Sequence, residues 1–435
     1  MAHTKYAFVV PDRWDPLPTL GLLALVIAVG GLVTGILLAF NYAPTFEAAQ
    51  PSIVNIGSNV TLGGFLRGLH FWAGNFALVL AALHGIRVFW NGAYKAPRRA
   101  LWVVGCGIFL VLLGFAYTGY LLRGDERALA GIVVADGVAS STPVVGGAAS
   151  ALLLGGEVIS SVTLVRLYAI HTQVLPVALV GLALAFLWLW RRAGPARAHT
   201  DASDDTAPAW PRAILRDTVW AGVVVTLLAV FAVALPPEIG PKADLGGPGS
   251  PDAQPEWFFL WVNQLLHRVD GMTFLIGGLL PGLLVGLMFG LPFIARGKER
   301  APRRRIPEIA IALLVLLGIG GLTAAALNRE HVEHETEAEQ PADTAPEAGA
   351  EFDIAPVLKK FRCAQCHTID GDEDGGDTGP ALNRKVFGEL YTRKYFRLKV
   401  SNPGEFWEDT GMSYPRNRLP NDEELDALTE HFFGK

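Results

Sequence analysis

The fold is decided by residues 67–89, RGLHFWAGNFALVLAALHGIRVF. This stretch is apolar over a length that crosses a membrane as a helix, yet it contains His70 and His84. Their spacing of 14 residues is close to four helical turns, so both imidazoles lie on one face, about 21 Å apart along the axis. Because a histidine inside a membrane span is costly to bury unpaired, we expect both to serve a function within a helical bundle.

Long apolar runs recur along the chain. Of its 435 residues, 51% are hydrophobic and only 18% are charged, and the mean hydropathy is +0.34. A soluble protein of this length carries more charge and spaces its apolar residues periodically. We therefore predict an all-α fold built on a polytopic bundle of about seven transmembrane helices. The expected spans are 17–41, 68–90, 101–122, 165–190, 217–235, 272–295 and 306–327.

Lysine and arginine indicate the orientation of the bundle. The loops after the second, fourth and sixth spans are rich in them, which places that face in the cytoplasm. An odd number of spans then puts the C-terminal region on the outer, extracytoplasmic face of the cell (inner) membrane. The first apolar run, 17–40, is long enough to span, and no cleavage site for a secretory signal follows it. The net charge of −5, without a basic block, gives no sign of a nucleic-acid partner.

A haem-attachment motif lies near the C-terminus. Cys363, Cys366 and His367 form C-A-Q-C-H, in which two thiols can bond the vinyl groups of one haem and the imidazole can bind its iron. The alternative is a zinc or redox pair. Met412, in the loop sequence GMSYP, is the predicted sixth ligand of this c-type haem, and His431 competes for that role.

The motif belongs to a distinct C-terminal region. Residues 330–351 are acidic and lack aromatic side chains, so we expect a disordered linker there. Residues 352–435 have the size of a small domain and end in an amphipathic helix expected at 422–433. We predict that they form a small all-α domain carrying the c-type haem.

A b-type haem is predicted within the bundle. The fourth span contains His171, and we expect His70 and His171 to bind one haem iron between them. A second, stacked haem requires a histidine 14 or 15 residues further on, but Ala185 and Phe186 stand there. Glycines spaced 14 residues apart allow a flat porphyrin to approach, with helix–helix packing as the alternative. These are Gly21 and Gly35 in the first span and Gly105 and Gly119 in the third.

The inner haem site is incomplete, and three interpretations stay open. Either this haem is absent and His84 is a core residue, or the haem is five-coordinate on His84, or a ligand from elsewhere substitutes. Arg67 and Arg87 each lie three residues from a haem histidine and suit propionate groups. Cys106, near the inner end of the third span, is either a packing residue or an extra attachment point for haem.

By these residues the chain resembles cytochrome b, and most closely the arrangement in which four helices are followed by a three-helix subunit IV. The match runs over about 14–327, and residues 352–435 resemble a class I cytochrome c. The composite is similar to the cytochrome b/c subunit of a bacterial quinol–cytochrome c reductase. It implies a four-helix haem-binding domain at 1–200 and a three-helix domain at 201–329. The matching stretches are 34–45, 67–89, 118–126, 166–176, 208–211 and 254–266.

The resemblance implies a quinol-oxidation site at the outer face, near His70 and His171. The family's Pro-Glu-Trp-Tyr motif reads Pro-Glu-Trp-Phe here at 255–258, and Glu256 is implied to accept a quinol proton. A structural carboxylate at a helix start is the alternative. The family's Leu-Pro-Trp run reads Leu-Arg-Gly here at 122–124, a departure that bears on the quinol pocket and on docking of an iron–sulfur protein.

The resemblance also implies cofactors and partners. They are haem b, one covalent haem c, quinol or menaquinol, a Rieske-type iron–sulfur protein, a terminal oxidase or soluble cytochrome as acceptor, and membrane lipid; dimerisation is left open. Two functions remain: an electron-transfer subunit of a quinol–cytochrome c oxidoreductase, or a degenerate cytochrome b that serves as a non-catalytic haem scaffold. The missing histidine and the altered run at 122–124 favour the scaffold, whereas the intact Pro-Glu-Trp sequence favours the enzyme.

Overall fold

The computed structural model describes most of the apolar part of the chain. It divides the protein into two compact units, Met1–Thr336 and Glu337–Lys435. The described residues are 9–11, 17–156, 158–193, 206–208, 211–243, 245, 254–269, 271–295, 297, 299–339, 425–426 and 428–429. The predicted domain at 352–435 thus lies almost wholly outside the described residues, as do the four residues predicted to bind its haem.

Helices account for nearly all regular structure in the described ranges, as the apolar runs predict. One pair of three-residue antiparallel strands is also present, β1 (Val9–Pro11) with β2 (Thr206–Pro208). The α-helices are α1 (Leu20–Ala39), α2 (Ala49–Asn59), α3 (Gly63–Trp90), α4 (Arg99–Leu121), α5 (Glu126–Ser140), α6 (Gly146–Leu154), α7 (Ser161–Ala169), α8 (Leu175–Ala193), α9 (Arg212–Ala234), α10 (Leu260–Leu266), α11 (Leu280–Ile294) and α12 (Ile306–Glu339). Short 3₁₀ turns occupy Leu17–Thr19, Trp257–Phe259 and Pro302–Arg304.

Seven of these helical segments are long and apolar enough to cross a membrane, which confirms the predicted number. The fourth is built from α7, a π-helical turn at Ile170–Val174 and α8, and it runs from Ser161 to Ala193. Many of their large apolar side chains are exposed, among them Ile36, Leu184 and Leu317. Exposed apolar side chains along an entire helix suit contact with lipid tails. The helix also satisfies its own backbone hydrogen bonds, which the interior of a bilayer requires.

The bundle interior forms where α3 packs against α1, α4 and α9, and where α4 packs against α8. Small side chains let the helices approach there: Ala73 and Ala77 of α3 are almost fully buried. They join larger apolar residues from the neighbouring helices in one cluster. Its other members are Ile27, Leu78, Leu112, Leu179 and Leu228.

The two ends of the bundle are named here by the histidine of α3 nearest to each. The His70 end comprises residues 40–62, 122–160 and the described part of 235–273, and it contains the short helices α2, α5, α6 and α10. A second buried cluster fills this end, centred on Phe46, Leu121 and Ile132. The His84 end comprises 91–98 and 299–305. There the buried Arg305 donates to the carbonyls of Phe89 and Trp90.

The end of the last helix differs from the sequence-based expectation. α12 continues to Glu339, ten residues into the segment 330–351 that was predicted to be a disordered linker. The physical reason lies in composition: residues 330–339 are rich in glutamate, a good helix former, and contain no proline or glycine. A helix already started in the apolar span adds such residues without a new nucleation cost.

Candidate functional site

The first feature of the site is a pair of imidazoles that face each other inside the bundle. His70 comes from α3, and His171 comes from the π-helical turn between α7 and α8. Their ring centroids are 6.1 Å apart and their planes are inclined at 72°. An imidazole nitrogen binds a metal at about 2 Å, so two rings bound in line to one metal have centroids roughly 6 Å apart. The observed separation fits a metal held between the two rings.

Hydrogen bonds orient both rings. The carbonyl oxygen of Gly31 lies 3.0 Å from Nδ1 of His70, and a carbonyl can only accept, so this nitrogen carries the proton. Thr118 Oγ1 donates its single proton to the Gly114 carbonyl at 2.7 Å, which leaves it to accept from Nδ1 of His171 at 2.8 Å. In each ring Nε2 therefore keeps its lone pair for a metal, as in other histidine ligands with a fixed tautomer.

Glycines line the histidine rings. A Cβ added to Gly35 of α1 would lie 2.9 Å from Cε1 of His70, and one added to Gly119 of α4 would lie 3.1 Å from Cε1 of His171. A side chain at either position would press on the histidine ring. His70 and His171 thus each pack against a glycine of the adjacent helix, and the donor set of two imidazoles suits an iron porphyrin.

This arrangement makes the Gly35 site intolerant of larger residues. We expect Gly35→Val to displace the His70 ring and to lower the b-haem content of the purified protein severalfold, measured by pyridine haemochrome absorbance. Gly30→Val is the matched control on the same helix, since a Cβ at Gly30 meets no atom within 4 Å. Equal haem content in the two variants would show that Gly35 plays no part in the site.

The His84 end repeats the glycine arrangement but not the pair of histidines. A Cβ on Gly21 would lie 2.9 Å from Cε1 of His84, as Gly35 does from His70. Across the bundle Gly105 faces Phe186, whose Cε2 lies 3.8 Å from the position of its Cβ. The buried Nδ1 of His84 has no hydrogen-bond partner among the described residues. Phe186, rather than Ala185, therefore occupies the place that corresponds to His171 at the other end.

The two arginines and the cysteine differ in what the structure shows. Arg67 donates through Nη2 to the Pro237 carbonyl at 2.6 Å, and its buried Nε has no partner among the described residues. Arg87 lies in the last turn of α3, at the His84 end. Cys106 is a buried free cysteine, with Sγ 3.9 Å from the Met288 carbonyl. This contact indicates that Cys106 packs against α11.

A charged cluster lies at the His70 end of the bundle. Glu256 precedes the 3₁₀ turn that leads into α10, and its Oε1 accepts a hydrogen bond from Nη1 of Arg123 at 3.1 Å. The same guanidinium is bonded to Asp125. Trp257 anchors the next position by donating through Nε1 to Oδ1 of Asn75 at 2.7 Å. Glu256 is 17% exposed, so it can be reached from outside the bundle.

Sequence reasoning missed several of these partners. Thr34 and Thr118 each stand directly before an outer glycine, and both hydroxyls lie within hydrogen-bond distance of a histidine Nδ1, at 3.3 Å and 2.8 Å. The repeated Thr-Gly pair at 34–35 and 118–119 was the available signal. Arg123 was noted only as a departure, and its ion pair with Glu256 joins residues 133 positions apart in the chain. The predicted ligands Cys363, Cys366, His367 and Met412 lie outside the described residues.

Both halves of the bundle are similar to known proteins of one family. Residues 75–241 match the family model described as cytochrome b (N-terminal)/b6/petB, and residues 249–337 match that described as cytochrome b (C-terminal)/b6/petD. The menaquinol:cytochrome c reductase cytochrome b subunit of Geobacillus thermodenitrificans is 39% identical over 164 residues, which cover 38% of this chain and 73% of the relative. Cytochrome b of Rhodobacter capsulatus is 30% identical over 268 residues, or 56% of this chain and 61% of the relative.

A solved structure described as hyperthermophilic respiratory complex III shares the fold. It aligns with a TM-score of 0.65 at 24% identity and covers 74% of this chain and 86% of that one. The two family models meet within the loop after α9, so they match the bundle on both sides of it. With paired histidines in its interior, matches to both halves of the fold, and a relative of which it covers 73%, the chain belongs to the cytochrome b family.

Proposed function

We propose that this chain is the electron-transfer subunit of a membrane quinol–cytochrome c oxidoreductase and that it oxidises quinol at the His70 end of the bundle. The observation that carries the proposal is the pair of inward-facing imidazoles, His70 and His171, at 6.1 Å. A haem held by their two Nε2 atoms would supply a one-electron carrier inside the bundle, toward its His70 end. The printed name of the Geobacillus relative supports menaquinol as the quinol.

The protein residues have separate tasks in this proposal. Gly31 and Thr118 hold the rings of His70 and His171 in the tautomer that binds iron, and Gly35 and Gly119 leave room for those rings. Arg67 would pair with a propionate through its Nε, which has no partner among the described residues. Each residue would act by orientation.

Glu256 is the proposed acceptor of a quinol proton. It lies at the His70 end, is partly exposed, and is held at a fixed place by the turn that starts α10. A quinol hydroxyl at hydrogen-bond distance from its carboxylate loses the proton to it before or during electron transfer. Phe258 stands where the family has tyrosine, so this pocket works without that hydroxyl.

At the His84 end we propose a haem that is five-coordinate on His84. Two features of the chain support it: Gly21 leaves room for the His84 ring as Gly35 does for His70, and Arg87 lies nearby in the last turn of α3. Phe186 faces Gly105 on the opposite side, where it excludes a sixth protein ligand. The pyridine haemochrome spectrum tests this: a b:c ratio of 2:1 agrees with it, and 1:1 contradicts it.

This proposal predicts an effect of Phe186→His. An imidazole at this position is expected to bind the free side of the iron and to abolish carbon monoxide binding to the inner haem, measured by the absorbance change of the reduced protein. Phe186→Leu is the control, because it removes the ring without adding a ligand, and it should keep carbon monoxide binding. Unchanged binding in the histidine variant would contradict a five-coordinate site opposite Phe186.

The C-terminal residues complete the proposed electron path. Cys363 and Cys366 would attach a haem c covalently, and His367 and Met412 would bind its iron, on the outer face of the membrane. We propose that a Rieske-type iron–sulfur protein delivers electrons to this haem, and that a terminal oxidase or a soluble cytochrome accepts them. A dimeric complex is left open.

The rival function, a haem-bearing scaffold without catalysis, is favoured by one observation: Arg123 already engages the carboxylate of Glu256. The deciding experiment uses the purified complex with its partner subunits. We expect menaquinol to reduce the c haem, and an inhibitor of the outer quinol site to block that reduction. Failure of menaquinol to reduce the c haem, with all haems present, would favour the scaffold.

A further inference from the structure

The residue that departs most from the family's pattern at the quinol pocket is Arg123. It stands where the family has proline, in the run Leu-Arg-Gly at 122–124. Its guanidinium reaches across to the other half of the bundle, where Nη1 lies 3.1 Å from Oε1 of Glu256. Both side chains are mostly buried, at 16% and 17% exposure, so bulk water screens this pair only in part.

Asp125 fixes the other side of the guanidinium. Its side chain is fully buried, and its Oδ1 accepts from the backbone N–H of Ala128 at 2.9 Å, which caps α5. Its Oδ2 accepts from Nε of Arg123 at 2.8 Å, from Nη2 of the same residue, and from the backbone N–H of Gly240 at 3.1 Å. A carboxylate with this many donors is immobile, so it holds Arg123 in one orientation.

The backbone around Arg123 is equally constrained. Gly124 has a φ of +64°, a left-handed conformation that favours glycine, and a Cβ there would lie 2.7 Å from Cβ of Ala49. Tyr42 donates to the Leu122 carbonyl at 2.6 Å, and burial raises the pKa of Tyr42 above its ordinary value, so it remains a neutral donor. The two departures from the family run therefore act together: Gly124 permits the turn from which Arg123 reaches Glu256.

We propose that Arg123 is a positioning residue of the quinol pocket, which holds the Glu256 carboxylate in the orientation that meets the quinol hydroxyl. This inference rests on the proposed role of Glu256. A guanidinium at hydrogen-bond distance fixes the direction in which a carboxylate points. The other charged or titratable groups around this pair are Asp125 behind the guanidinium, Tyr120, and Arg67, which lies near enough to Arg123 to repel it.

The contact between Arg123 and Glu256 implies an order of events in proton transfer. Oε1 of Glu256 is held by Arg123, and a quinol hydroxyl binds to the carboxylate as it stands. The quinol O–H bond breaks, an O–H bond forms on Glu256, and the quinol is left with the electron pair as its anion. Once neutral, the carboxyl group loses most of its attraction to Arg123 and can turn away with the proton. Arg123 thus holds the Glu256 side chain in place until the quinol proton has been transferred to it, and the protonated side chain is then free to turn.

The test is steady-state menaquinol oxidation by the purified complex, with kcat and KM measured separately. In Arg123→Gln we expect kcat to fall about tenfold or more at unchanged haem content, because the carboxylate is no longer held toward the quinol hydroxyl. Arg123→Lys keeps a donor within reach of Glu256 and should recover part of the loss. Arg127→Gln, an exposed arginine four residues away, is the control and should leave the rate unchanged. A wild-type kcat in Arg123→Gln overturns the proposal.

Two further measurements separate this inference from the proposed function. If Arg123→Gln does not assemble because Asp125 is left as a buried unpaired charge, Arg123→Gln with Asp125→Asn removes both charges, and the same loss of kcat is expected in that variant. In a Glu256→Gln background, Arg123→Gln should cause no further loss, because its effect passes through the carboxylate. An equal additional loss in that background overturns the inference, whereas wild-type turnover in Glu256→Gln alone refutes the role of Glu256 itself.

Discussion

Replacing Glu256 with glutamine is expected to lower the rate of menaquinol oxidation about 100-fold or more, because a positioned general base commonly contributes that much and an amide cannot accept the proton. Glutamine has nearly the same shape, and its amide oxygen can still accept a hydrogen bond from Arg123, so the fold of the pocket should persist. The measurement is steady-state menaquinol–cytochrome c reductase activity of the purified complex.

Glu238→Gln is the matched control for this variant. Glu238 is exposed and lies in the segment after α9, at the same end of the bundle, so its replacement makes the same change of charge away from the pocket. We expect it to retain the wild-type rate. Should Glu256→Gln turn over as fast as Glu238→Gln while containing its full complement of haem, Glu256 is not the proton acceptor and its role is structural.

Replacing His171 with leucine is expected to remove the outer b haem and to reduce quinol oxidation to background. The variant loses one of the two imidazoles that face each other at 6.1 Å, while leucine fills a similar volume and preserves packing. Pyridine haemochrome spectra should show the b:c ratio fall by one haem b per chain. Among the described residues, the exposed His267 lies in a loop outside the apolar spans, and His267→Leu serves as the control with an unchanged ratio.

Much of the bundle could be predicted from its sequence, because the membrane imposes a simple rule. A hydrocarbon layer needs about 20 apolar residues per helix, and the seven predicted runs correspond to the seven membrane-length helical segments among the described residues. The 14-residue spacing also carried information: Gly35 and Gly21 face His70 and His84, the two histidines of α3. Spacing along one helix fixes which side chains share a face, and that is a local property.

Other features depend on contacts that no local pattern encodes. The sequence left either Ala185 or Phe186 opposite His84, because the spacing along the fourth span was uncertain by one residue. The π-helical turn at 170–174 adds that residue to the span and brings Phe186, 15 positions after His171, against Gly105, which lies 14 positions before Gly119. Such π-helical turns occur inside longer α-helices, frequently at functional sites, and residue propensity does not predict them.

The charged cluster was hidden from sequence for a similar reason. The run at 122–124 was recognised as a departure, but its consequence depends on where the segment after α9 returns. Backbone bonds from Glu126 to Pro241 and from Ala243 to Gly124, at 3.0 Å and 3.1 Å, hold that segment against the run. At the predicted linker the difference has a local cause, since residues 330–339 extend a helix that is already formed in the last apolar span.

The central claim is that His70 and His171 bind one iron between them. Near-infrared magnetic circular dichroism of the oxidised, purified protein tests it most directly, because it distinguishes a low-spin haem with two imidazole ligands from one with an imidazole and a thioether. The account predicts one haem of the first kind in each chain, absent from both His70→Leu and His171→Leu. A b haem with no such signal, or a signal that survives in either variant, would contradict it.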